Sequence, residues 1–148
     1  MRTAIVTGSG GLIGSESVQH LIEDGYDVIG LENDMRAAFF GPDASTSRTT
    51  ERLVETYPEF RSLDVDIRDA EGVLRLFERE KAVELVIHTA AQPSHDWAAT
   101  DPQTDFAVNA NGTLNLLEAV RTHTPDATFV FTSTNKVYGD TPNRLPLV

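Results

Sequence analysis

The chain has 148 residues, 40% hydrophobic and 24% charged, which excludes wholesale disorder and is enough to bury the core of one domain. Twelve Lys and Arg against 23 Asp and Glu leave a net charge of −11; such a field repels phosphate backbones and anionic lipid, so neither nucleic acid nor a membrane surface is expected as a partner. Cysteine is absent, which removes disulfides, thiolate metal sites and a thiol nucleophile, and a cytoplasmic location fits that chemistry.

Residues 4–7 form a β-prone run, too short for a signal segment or a membrane span. Residues 12–24 read as a helix with Leu12, Val18, Leu21 and Ile22 available for a buried face, stopped by Gly25. A second strand covers 26–31. Residues 32–50, rich in Gly, Pro, Asp, Ser and Thr, read as a long connection that is either functional or mobile. A short helix over 51–57 ends at Pro58, and 60–65 gives a third strand. Residues 69–81 form an amphipathic helix with Val73, Leu74, Leu76 and Phe77 on its apolar side. Residues 85–88 are the fourth strand. Asp101 and Pro102 supply an N-cap and a first-turn proline for a helix to about residue 123, with Phe106, Ala110, Leu117 and Val120 on one face. Residues 128–132 are the fifth strand, and 139–148 are polar. This alternation predicts an α/β fold, a Rossmann-type doubly wound parallel sheet with right-handed crossovers. It is expected to be incomplete at its C-terminal side, because no sixth strand or covering helix follows.

The stretch Thr7-Gly8-Ser9-Gly10-Gly11-Leu12-Ile13-Gly14 joins the first strand to the first helix. Gly8 suits the tight turn, Gly11 lets backbone approach a pyrophosphate, and Gly14 lets helix pack closely on strand. The amides of Leu12, Ile13 and Gly14 then face the phosphates at the positive end of the helix. An ordinary strand-to-helix turn is the plainer reading of such a glycine cluster. Its place in a βαβ unit, with Glu32 and Asn33 directly after the second strand, favours a dinucleotide. A carboxylate at Glu32 accepts from ribose hydroxyls and repels a 2′-phosphate, which favours NAD over NADP; nearby Arg36 works against that preference.

The Thr-Gly-x-x-Gly-x-x-Gly spacing resembles the extended branch of the short-chain dehydrogenase/reductase superfamily, the NAD-dependent epimerase/dehydratase family. Four further stretches are similar to it: residues 64–69, 88–92, 109–119 and 131–140. The resemblance implies that Asp66 takes the adenine amine and Ile67 the ring. It implies that Ala90, Ala91, Gln92 and Asn109 lie along the cofactor, and that Thr134 hydrogen-bonds the reacting sugar oxygen. Within the branch, Ser133-Thr134-Asn135-Lys136-Val137-Tyr138-Gly139-Asp140 resembles the CDP-paratose 2-epimerase (CDP-tyvelose 2-epimerase) group. The related dehydratases carry Asp-Glu after the Thr as their acid and base; Asn135 and Lys136 cannot act as that pair. The implied activity is epimerisation of a nucleotide-sugar by transient hydride transfer to NAD, with no metal. Close alternatives are a UDP-glucose 4-epimerase-like fragment and a non-catalytic NAD-binding module.

The family's base is a Tyr in a Tyr-x-x-x-Lys pair. Four residues after Tyr26, Tyr57 and Tyr138 stand Gly30, Arg61 and Pro142, and the only lysines are Lys81 and Lys136, so the pair is absent. Residues 1–148 are therefore expected to be an NAD-binding domain without its catalytic helix and C-terminal substrate domain, inactive alone. Relatives often form homodimers through helices that include 101–123. His88 reads first as a buried structural histidine. His95 either meets substrate or is a solvated loop residue, and Trp97 is either a lid residue or core cover. Asn109 either hydrogen-bonds site backbone or packs, and Lys136 either meets phosphate or is a plain surface lysine.

Overall fold

The structure, a computed structural model, describes residues 2–146 apart from the side chains of Asn135, Lys136 and Pro142. Five parallel strands, β1 (Arg2–Thr7), β2 (Tyr26–Leu31), β3 (Phe60–Leu63), β4 (Val83–His88) and β5 (Thr128–Phe131), lie in the order β3-β2-β1-β4-β5. At the C-terminal end of β1, Thr7 stands opposite Leu31 of β2 and His88 of β4. The chain winds to one side through β2 and β3 and to the other through β4 and β5. A crevice opens where the winding reverses, above the end of β1.

Side chains alternate across each strand, and the two faces collect separate cores. Ala4 and Val6 of β1 and Val28 of β2 pack with Val18 and Leu21 of α1 (Leu12–Glu23). Leu53 of α3 (Ser47–Thr56) joins the same layer. Ile5, Ile29 and Leu31 face the other way. They pack on Val73, Leu76 and Phe77 of α4 (Ala70–Arg79) and on Leu116, Ala119 and Val120 of α7 (Gly112–His123). Each fully buried side chain of this size contributes roughly 1.5–3 kcal/mol.

Three local readings change. Residues 32–50 are a folded connection: α2 (Met35–Phe40), a 3₁₀ turn at Pro42–Ala44, and α3, which starts at Ser47. Asp34 organises it, its carboxylate accepting from Ser45 Oγ at 2.6 Å, Thr46 N at 2.8 Å and Thr46 Oγ1 at 3.2 Å. Second, α5 (His95–Thr100) fills a stretch with no apolar periodicity; Ser94 Oγ caps it by accepting from Trp97 N at 3.2 Å. Third, the helix from Asp101 is built as α6 (Pro102–Phe106), one wide π turn at Ala107–Asn111, and α7.

The buried face of that last helix is not the face of large apolar residues. Phe106, Ala110 and Leu117 are exposed, while Val108, Gly112, Leu116, Ala119 and Val120 are buried. Small residues let the helix approach the loop after β3: a Cβ on Gly112 would lie 2.6 Å from Ile67 Cδ1. Leu12 is likewise exposed, at 81%, for a reason found in the site.

Candidate functional site

The site starts at the glycine turn that leaves β1. Gly8 has φ +65°, a left-handed conformation that glycine adopts without strain, and its amide donates to Leu31 O at 2.8 Å. The turn closes through Gly11 N to Gly8 O at 2.9 Å. A side chain at Gly14 would collide with the Gly8 carbonyl, so α1 reaches the strand this closely only with glycine there. The first helical bond runs from Ser15 N to Gly11 O at 2.8 Å. The amides of Leu12, Ile13 and Gly14 precede it and have no carbonyl one turn back. These residues line a cavity of about 260 Å³. The side chains of Leu12 and Ile13 are 81% and 55% exposed there, beside a positively polarised helix end.

The far wall comes from the ends of β2 and β3. Glu32 and Asn33 line it, with Asp66 and Ile67 beyond. The Glu32 carboxylate is fixed from both sides: Oε2 accepts from Gly10 N at 3.0 Å and Oε1 from Asp34 N at 2.9 Å. Partial burial pushes the Asp66 carboxyl upward, but the hydrogen bonds and charge of Arg68 outweigh it and hold its pKa below the ordinary carboxylate value. Arg68 meets Asp66 Oδ2 at 2.6 Å. Asn115 Nδ2 donates to Ile67 O at 2.9 Å, pinning this loop to α7.

The near wall, Thr89, Ala90, Ala91 and Pro93, is the segment after β4. Two sets of hydrogen bonds fasten it. Thr7 Oγ1 accepts from Thr89 N at 3.2 Å and from Ala90 N at 3.1 Å, which leaves its proton for His88 Nδ1 at 2.7 Å. His88 is therefore the neutral Nε2–H tautomer, and that N–H donates to Thr113 Oγ1 at 2.9 Å. Thr113 Oγ1 in turn donates to Asn109 O at 2.8 Å. Burial lowers the His88 pKa to about 4, in keeping with a neutral ring. The second set grips Gln92: its amide donates to Asn109 Oδ1 at 2.9 Å and its carbonyl accepts from Asn109 Nδ2 at 3.0 Å. Asp105 Oδ1 accepts from both Gln92 Nε2 at 2.9 Å and Asn109 Nδ2 at 3.0 Å. The π turn carries Asn109 in this clasp, a common use of such a turn near a site.

Gly8, Gly11, Leu12, Ile13, Gly14, Glu32 and Asn33 thus share one cavity with Asp66, Ile67, Ala90 and Ala91. Gln92 and Asn109 stand behind the near wall and hold it. Thr134 is exposed on the segment after β5 and is not among the cavity's lining residues, whereas Thr132 is. The side chains of Asn135 and Lys136 lie outside the described residues. The sequence flags the linking role of neither Thr7 nor Asp105: the partners of Thr7 lie up to 83 residues away, and those of Asp105 meet only where the segment after β4 packs on the π turn. Met35, Phe39 and Phe40 of α2 also line the cavity; the proline- and glycine-rich composition of their connection hid them.

A family model described as the NAD dependent epimerase/dehydratase family matches residues 4–147. The CDP-paratose 2-epimerase of Salmonella typhi is 32% identical over 138 residues, covering 92% of this chain and 38% of that protein. The UDP-glucose 4-epimerase of Mycolicibacterium smegmatis is 35% identical over 145 residues, covering 96% of this chain and 42% of that protein. The crystal structure of the Thermus thermophilus UDP-glucose 4-epimerase in complex with NAD matches with a TM-score of 0.70 at 37% identity, over 90% of this chain and 38% of that one. The chain spans about two fifths of the length of these relatives.

Proposed function

The chain belongs to the NAD dependent epimerase/dehydratase family, and from that premise we propose that it is the NAD-binding part of a nucleotide-sugar epimerase acting in the cytoplasm. The observation that carries this reading is the glycine cradle: an uncapped helix end, closed against β1 by Gly8 and Gly14, opens into one cavity with the Glu32 carboxylate. Anionic phosphates suit the helix end and ribose hydroxyls suit the carboxylate. The residues present fit NAD, whose nicotinamide, when bound, supplies a reversible hydride acceptor that lets a sugar carbon be inverted without net redox change.

In this reading Gly11 and the first-turn amides of Leu12, Ile13 and Gly14 hold the pyrophosphate. Glu32 and Asn33 hold the adenosine ribose, and Asp66 and Ile67 hold the adenine. Ala90 and Ala91 lie along the nicotinamide half, with Gln92 and Asn109 keeping their backbone in place. Thr134 hydrogen-bonds the reacting sugar oxygen. Exposed Phe106, Leu114 and Leu117 on one side of the last long helix support a homodimer through that face, which sedimentation at rising concentration tests.

The resemblance of residues 133–140 supports a CDP-paratose 2-epimerase-like specificity, and the 32% identical relative of that name agrees with it. A UDP-glucose 4-epimerase-like specificity is the second reading, supported by the 35% identical relative. Calorimetric titration of the NAD-loaded protein with a CDP-sugar and with a UDP-sugar separates them. Tighter binding of the CDP-sugar supports the first reading and tighter binding of the UDP-sugar the second. Binding of NAD and of neither sugar supports the cofactor-binding part and assigns neither sugar specificity to residues 1–148.

A further inference from the structure

α2 follows β2 and α5 follows β4, so the two helices leave the sheet on opposite sides of β1. The glycine turn leaves the end of β1, between them. Phe39 of α2 and Trp97 of α5 nevertheless meet, with ring centroids 4.6 Å apart and planes inclined by 58°. This pair joins the adenosine side of the crevice to the nicotinamide side. Phe39 lines the same cavity as Gly11 and Glu32, and Pro93, four residues before Trp97, lines it too.

The segment that carries Phe39 is a short helix whose Met35 and Phe39 pack in part against the main core. α2 has six residues and none is buried. It is bounded by two left-handed residues, Asp34 at φ +51° and Gly41 at φ +88°. Its base is fixed, because Asp34 holds Ser45 and Thr46 while its amide donates to Glu32 Oε1. The other half is firmer: Trp97 N is held by Ser94 Oγ, and Gln92 Oε1 accepts from Ser94 N at 2.6 Å. The two rings therefore meet at the edge of the cavity that the glycine turn lines, Phe39 inside its lining and Trp97 against Phe39.

We infer that Phe39 and Trp97 are cofactor-retaining residues: they form an aromatic bridge between the two sides of the crevice, and the pair slows release of the bound dinucleotide. This rests on the proposed function and deepens it. A hydride taken from a sugar and returned to the same sugar requires that the dinucleotide stay in place between the two transfers. The cradle supplies affinity for the phosphates, and the bridge supplies residence time.

Trp97 is the chain's one tryptophan, so its emission reports on the bridge directly. The experiment titrates the 148-residue chain with NADH, following heat and Trp97 emission, and then measures NADH release by stopped-flow displacement. Wild type is expected to bind with a change in Trp97 emission and energy transfer to the nicotinamide. Phe39→Ala is expected to speed release about tenfold, the scale of one lost aromatic pair, with less change in the association rate. Phe39→Leu, which keeps apolar volume against the core, is expected to release nearly as fast at unchanged melting temperature. NADH binding with unchanged Trp97 emission and unchanged release in both variants overturns the bridge and leaves the cofactor reading standing. Binding seen only in the Phe39 variants also overturns it, making the pair a plug. No heat from folded wild type or folded variants overturns the cofactor reading and the bridge together.

Discussion

At the scale of single residues, the glycine turn and Glu32 are legible in the sequence, because the proposed phosphate and ribose roles call for those residue types at that spacing. His88 is legible only as a buried ring; its tautomer follows from Thr7, whose partners are brought together by strand pairing. The pH dependence of stability follows from that ring. The folded chain keeps His88 neutral down to about pH 4, whereas an unfolded histidine takes up a proton near 6.5. Its contribution to stability is therefore full above about pH 6.5 and is lost as the pH falls towards 4, an effect of ~3 kcal/mol at most. The hydrogen-bonded Asp34 and Asp66 titrate below the ordinary carboxylate value, so their contributions are lost only at still lower pH. Urea midpoints measured between pH 7 and 4 should fall in wild type and change much less in His88→Leu; an equal fall in both would contradict the assignment. At Glu32, the Gln variant keeps the shape and loses the charge. It should narrow the preference for NAD over NADP by about tenfold or more, read as the ratio of the two dissociation constants.

At the scale of elements, the βαβ alternation and the face of α4 are readable because their periodicity is long. Val73, Leu76 and Phe77 are buried as the spacing predicts, and Phe77→Ala should cost about 3–5 kcal/mol in urea unfolding. α2 and α5 are not readable. Each has six residues, and each is held by side chains outside it, Asp34 in one case and Ser94 in the other. The buried face of α7 is misread because its packing relies on Gly112 and Ala119, while larger apolar residues point outward. Asp34→Ala removes three acceptor contacts and places alanine at a left-handed φ. It should lower stability by roughly 1–3 kcal/mol. It should also weaken NAD binding through Glu32, whereas stability loss with unchanged affinity would show that the connection does not order the ribose wall.

At the scale of the whole molecule, the doubly wound parallel sheet is legible in the alternation of elements, and the structure adds the strand order, the switch-point crevice and how both of its walls are braced. β5, at one edge of the sheet among the described residues, leaves Val130 and Phe131 exposed. No Tyr-x-x-x-Lys pair is present in the sequence, so the 148-residue chain should bind NAD and show no epimer formation by NMR with either nucleotide-sugar. The most direct measurement is calorimetric titration of the chain with NAD beside its Gly11→Val variant. Gly11 has an ordinary φ of −74°, and a Cβ there would meet only the Gly8 carbonyl at 3.2 Å, so the variant should fold. The expected result is one NAD per wild-type chain and none in the folded variant. Folded wild type that gives no heat with millimolar NAD, or a variant that binds as well as wild type, would contradict a dinucleotide site at the glycine turn.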